Sequence, residues 1–143
     1  LDLENKPNKA LWSNDMLVPF DEENDKRTYT FTNIWNNSVY YHGNVPNNEF
    51  KLYKKVTIVL GKSVSSKESF QFTLGKSDYM KISNISLKKG DKIVYDGVQT
   101  WRNGTPINHR CTNAQPKFYP GWNDFAFNQQ VKSVTFDMKF YYK

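Results

Sequence analysis

The chain has 143 residues, with 20 basic and 14 acidic side chains, 16% aromatic residues and one cysteine. A chain of this length suits one domain burying roughly 68–70% of its unfolded surface, and its rings are ample for the core. A single cysteine excludes an intrachain disulfide framework, and no apolar run approaches the roughly 20 residues of a membrane-spanning helix.

Charge is unevenly distributed. Residues 1–27 hold four basic and seven acidic side chains, whereas residues 28–143 hold sixteen and seven. A basic domain can meet nucleic acid or an anionic polymer. Here the lysines fall at strand ends and outward positions (Lys54, Lys55, Lys62, Lys67, Lys88, Lys89), and there are only three arginines. That pattern describes a solvated surface, so neither nucleic-acid binding nor membrane insertion is expected.

Residues 1–27 are polar and acidic, with Pro7, Pro19 and the run Asp21-Glu22-Glu23-Asn24-Asp25. The apolar patch Leu11-Trp12 and Met16-Leu17-Val18 marks this stretch as a linker or lead-in segment that docks on the domain. The chain begins at Leu1 without a signal sequence, and we read it as a domain excised from a longer protein.

From Thr28 the apolar period becomes two: Tyr29 and Phe31 alternate with threonines, the pattern of a half-buried strand. Val39-Tyr40-Tyr41 is a short run between Asn36-Asn37 and His42-Gly43-Asn44. A longer strand is expected over 50–60, with Val56, Ile58 and Leu60 on one face, and another over 67–74, with Phe70, Phe72 and Leu74 inward. A short strand through Tyr79–Ile82 follows. Strands resume at Asp91–Tyr95, where Gly90-Asp91 makes the entering turn. Asp96-Gly97 is a hairpin signal of the type I′ kind, with a return strand over 98–102. Asn103-Gly104 makes the next tight turn, and 108–119 reads as one long irregular loop. Pro120-Gly121-Trp122-Asn123 is a further turn. The closing strand, 131–142, alternates best of all, with Val134, Phe136, Met138, Phe140 and Tyr142 on one side.

No window of eleven or more residues keeps a helical period. The expected fold is therefore all-β with little or no helix: an antiparallel two-sheet β-sandwich of the jelly-roll or galectin-like kind over residues 28–143.

Catalytic constellations are not evident. His109 and Cys111 could pair, but they lack an orienting third group and further metal donors. Asp91, Asp96 and Asp124 lie in turns beside Gly or Asn, where Asp commonly bonds its own backbone, rather than across a cleft as glycosidase carboxylates must. No acidic cluster outside 21–25 suggests calcium. No cofactor, metal site or catalytic residue is expected. Loop aromatics remain, with amide and guanidinium groups between them: Trp101, Asn108, Arg110, Tyr119 and Trp122. Flat rings stack on the C–H faces of sugars while polar groups hold hydroxyls, so these five form a candidate saccharide face. The alternative is that Trp101 and Trp122 are core rings at strand ends.

The order of motifs Gly90-Asp91-Lys92-Ile93-Val94-Tyr95-Asp96, then Arg102-Asn103-Gly104, then Phe118-Tyr119-Pro120-Gly121-Trp122-Asn123, then a strand ending Phe140-Tyr141-Tyr142, resembles the C-terminal domain of siphophage distal tail proteins, the siphovirus tail component family. The stretch from Phe31-Thr32-Asn33 to Ile58 is similar to that domain's opening strands, although Trp35-Asn36 replaces the Pro-Gly or Gly-Asn usual there. Trp12-Ser13 is like the hand-over from the family's N-terminal domain. The resemblance implies a galectin-like or carbohydrate-module-like sandwich in a virion structural protein at the phage tail tip. It also implies a non-catalytic part in host adsorption: anchoring baseplate or receptor-binding proteins and touching host cell-wall polysaccharide. A hexameric ring would belong to the family's N-terminal domain. The matched positions are structural: Gly90, Asp91, Gly104, Pro120, Gly121 and Asn123. The competing expectation is a carbohydrate-binding module of a secreted bacterial glycoside hydrolase.

Overall fold

The computed structural model describes residues 26–49, 52–75, 79–112 and 115–143. Leu11-Trp12, Met16–Val18, the acidic run and the expected lead-in segment lie outside these, apart from Lys26 and Arg27. Nine strands form among the described residues: β1 (Lys26–Tyr41), β2 (Lys54–Val59), β3 (Ser69–Leu74), β4 (Met80–Ser83), β5 (Lys92–Tyr95), β6 (Thr100–Arg102), β7 (Thr105–Pro106), β8 (Cys111–Thr112) and β9 (Gly121–Lys139). The one helical element among the described residues is a 3-10 turn at Asn108–Arg110. No helix among the described residues is long and apolar enough to cross a membrane.

All pairings are antiparallel. The strands run β7-β6-β5-β2-β9-β3-β4-β8, with β1 also on β9. The long β9 organises the sheet. Its C-terminal part (133–138) pairs β2 and its N-terminal part (125–127) pairs β3, while β1 follows it from Lys26↔Lys139 to Tyr41↔Gly121. Between Ile34↔Val131 and Asn36↔Ala126, one residue of β1 faces four of β9, an enlarged bulge. Asn33, just before the bulge, has φ 51°, and Gln130 Nε2 donates to the Asn33 carbonyl at 3.0 Å.

The bulge lets the sheet curl. Phe125 and Phe136 are eleven positions apart in one strand, a separation of about 36 Å if extended. Their rings are nevertheless 4.9 Å apart. Phe72 of β3 lies 5.9 Å from Tyr95 of β5, although three strand spacings, about 14 Å in a flat sheet, separate β3 from β5. The antiparallel sheet has curled until its two halves face each other. The enclosed core holds Val56, Ile58, Leu60, Phe70, Phe72, Leu74, Met80, Ile82, Ile93, Tyr95, Phe118, Phe125, Val134, Phe136 and Met138, all buried.

Several expected boundaries shift. Asn36-Asn37-Ser38 breaks no strand: β1 continues through it because β9 supplies the ladder. The closing strand starts at Gly121 rather than Val131. The hairpin after Tyr95 is a four-residue loop, 96–99, and not a two-residue type I′ turn, because only Gly97 takes a positive φ (96°). Asp96 Oδ1 accepts from the amides of Val98 and Gln99, so its side chain builds the loop. Asn103 and Gly104, with φ of 49° and 86°, do form the tight turn joining Arg102 to Thr105. The supposed loop 108–119 contains β8, paired with β4, and Phe118 bridges Asn47. Lys54 is not on an outward face but buried. Its Nζ donates to the Glu49 and Leu52 carbonyls, and burial lowers its pKa to about 8.

Candidate functional site

The turn residues that stand out in the sequence are structural fasteners. Asp91 is buried and accepts from the Lys88 amide (2.8 Å), Arg102 Nε (2.8 Å) and Asn103 Nδ2 (3.0 Å). Burial alone would raise its pKa, but these donors together lower it. Gly90, with φ 90°, lets the chain turn into β5. Past Pro120, Gly121 takes φ 95°, and the buried Asn123 closes the turn from inside. Its Nδ2 donates to the carbonyls of Tyr119 (2.9 Å) and Gly121 (3.1 Å), and its Oδ1 accepts from the Tyr119 amide (3.0 Å).

The five candidate saccharide residues do not form one face. Partners in register share a face of a sheet. Trp101 therefore belongs to the row Trp101–Val94–Thr57–Thr135–Thr30, on the outer side of the half built by β6, β5, β2 and the end of β9. Trp122 pairs with Tyr40 on the outer side of the opposite half. Because the inner faces close on each other, those outer faces point away from one another, and one ligand cannot stack on both rings. Asn108 Oδ1 accepts from the Thr100 amide at 2.7 Å, a local tie within the β6–β7 region. Arg110 is exposed on the 3-10 turn, and Tyr119 is half-buried beside the Asn123 amide.

Trp122 is no core ring. At 64% exposure it is the most exposed large apolar side chain among the described residues. The Asn123 amide holds the backbone beneath it, and its ring meets Tyr40 in a T-shaped contact at 5.0 Å, with His42 a further 4.5 Å from Tyr40. One step along the same face, Ser38 Oγ donates to the Asp124 carboxylate. One step further come Asn36 and Ala126, and across from Ala126 the exposed Thr73. On the β3 side of Asp124, the Gly75 amide donates to the Asp124 carbonyl. The result is a rigid indole and phenol beside a carboxylate, hydroxyls and an amide. Tyr40, Ser38 and Asp124 were not legible as site residues: Ser38 and Asp124 are 86 positions apart and meet only through the β1–β9 register.

Two partly buried groups, Cys111 and His42, are held in their neutral forms. Burial pushes the Cys111 thiol up to about 11, against a hydrogen bond with Thr100, and its Sγ donates to the Ile107 carbonyl. Such a thiol is not a thiolate at neutral pH. Half-burial, aided by Arg27, lowers His42 to about 4, which keeps the imidazole neutral. No group of three His, Cys, Asp or Glu side chains among the described residues could hold a metal ion. Comparison with protein-family models gives no match for this chain, and comparison with curated proteins likewise gives none.

Proposed function

We propose that this chain is a non-catalytic structural and adhesion module, the outward domain of a siphophage distal tail protein. It anchors neighbouring baseplate or receptor-binding proteins at the tail tip and touches saccharide on the host wall. In this reading the curled sheet is a two-layer, galectin-like sandwich. Support comes from the ordered motifs: Gly90-Asp91, Asn103-Gly104 and Pro120-Gly121-Trp122-Asn123 each occupy a backbone bend, in the order that the resemblance expects. The adhesive part rests on one observation, the exposed Trp122 ring held on a rigid strand.

Two measurements test the proposal. Immunogold electron microscopy of virions from cells that encode the chain should label the tail tip, and label absent from every particle overturns the phage assignment. Co-sedimentation with purified Gram-positive wall polysaccharide tests adhesion, with cellulose, xylan and chitin as comparators. Retention by the wall polymer is expected. Retention only by the comparators favours a glycosidase accessory module, and no retention removes the adhesive role.

A further inference from the structure

We propose that the saccharide site lies on the outer face of β1 and β9, around Trp122, Tyr40, Asp124 and Ser38, and takes a neutral pyranose. The inference rests on the adhesive reading above and deepens it by naming the face and the sugar class. Trp122 offers a flat apolar ring at a fixed height, and the C–H face of a pyranose is the surface that such a ring recognises. Asp124 sits two residues on, about 6.6 Å along the strand, a distance that one sugar ring bridges. A carboxylate is acceptor-only and binds hydroxyl donors strongly. Ser38 donates to it and so fixes its orientation.

The charge at this face selects the ligand class. A phosphate or uronate would meet the Asp124 carboxylate and be repelled, although the domain as a whole is basic. The exposed lysines then serve encounter with the wall, and the ring–carboxylate face serves recognition of an uncharged residue in it. A protein partner fits less well. Stable interfaces bury about 800 Å² per side around an apolar centre. Here two rings are bordered at once by Ser38, Asp124, Asn36 and Thr73.

The probe is wall polysaccharide from a Gram-positive host, together with neutral hexose oligosaccharides, titrated against the intact chain by tryptophan fluorescence and calorimetry. Trp122→Ala should weaken binding by at least about 10-fold, as for a central aromatic anchor. Asp124→Asn, which keeps the shape and removes the charge, should weaken it by about 10-fold. Trp101→Ala should leave it unchanged. Thermal unfolding checks that the variants are folded, and Trp122→Ala is expected to melt with the parent because its ring is largely solvated.

If the parent binds and Trp122→Ala binds equally well, this site is wrong while the adhesive reading stands. If Trp101→Ala alone abolishes binding, the site belongs on the other face. If the parent binds no saccharide, both fall. Free choline displacing the oligosaccharide would assign the rings and the carboxylate to a quaternary ammonium ion and overturn the proposal.

Discussion

Replacing Asn123 by alanine should weaken the fold substantially while leaving its neighbour's ring chemistry in place. The side chain is buried and makes three hydrogen bonds, two to the carbonyls of Tyr119 and Gly121 and one from the Tyr119 amide. Each contributes about 0.5–1.5 kcal/mol net, and more if its partner is left dry. Tyr119 and Gly121 are only half-buried, so water can reach some of the released groups, and the total comes to about 2–4 kcal/mol. At roughly 0.05–0.15 kcal/mol per residue, the whole domain is stable by about 7–20 kcal/mol. The variant therefore folds but with a clearly reduced margin. With a urea slope of about 2 kcal/mol/M, its midpoint should fall by about 1–2 M at unchanged slope. Trp122→Ala, one residue away, should shift it by less than about 0.5 M, since a largely exposed ring has little burial to lose. The opposite ranking would refute the reasoning. It would mean that the indole, not the amide, fastens the 119–123 turn.

Gly43→Ala should cost about 1–3 kcal/mol by thermal unfolding. The new Cβ would stand 2.5 Å from the Tyr141 carbonyl oxygen and 2.7 Å from the Tyr41 ring, whose hydroxyl joins the Val45 carbonyl to the Tyr141 amide. His42 has a folded pKa of about 4 against an ordinary 6.5, so the unfolded chain binds the extra proton between them. Its contribution is complete above about pH 6.5 and is lost as pH falls toward 4. His42→Gln should flatten that part of the stability profile. Asp91 acts at lower pH. Its folded pKa lies below the ordinary 3.8, so its contribution is present above that value and is lost as pH falls through the folded pKa. Asp91→Asn should lower stability at pH 7 and reduce its acid dependence, both measurable by urea titration.

Strand chemistry was legible wherever local pattern and local geometry agree. The run Val134, Phe136, Met138 faces inward as its alternation implies, and Asn103-Gly104 adopts the two positive φ values that its residue types favour. What escaped depends on distant partners. The N-terminal half of β9 alternates too, but its inward set (Asn123, Phe125, Phe127, Gln129, Val131) includes two amides and is out of phase with the set starting at Val134. The phase changes at Lys132 and Ser133, where β1 places Asn33 with its positive φ, and only pairing with β1 reveals the irregularity. Lys54 sits at an inward strand position where the Glu49 and Leu52 carbonyls receive its ammonium, a compensation that no local pattern announces. The aromatic face failed for the same reason. Trp101 and Trp122 look alike in sequence, and it is the curl of the sheet that sends them to opposite sides.

The curl itself is tested most directly by nuclear Overhauser contacts between assigned phenylalanine rings in selectively labelled protein. Strong cross-peaks between Phe125 and Phe136 are expected from the 4.9 Å separation of their rings, together with weaker ones from Phe72 to Tyr95. If Phe125 and Phe136 are assigned and show no contact, β9 does not fold back on itself, and the opposed outer faces built on that bend do not exist.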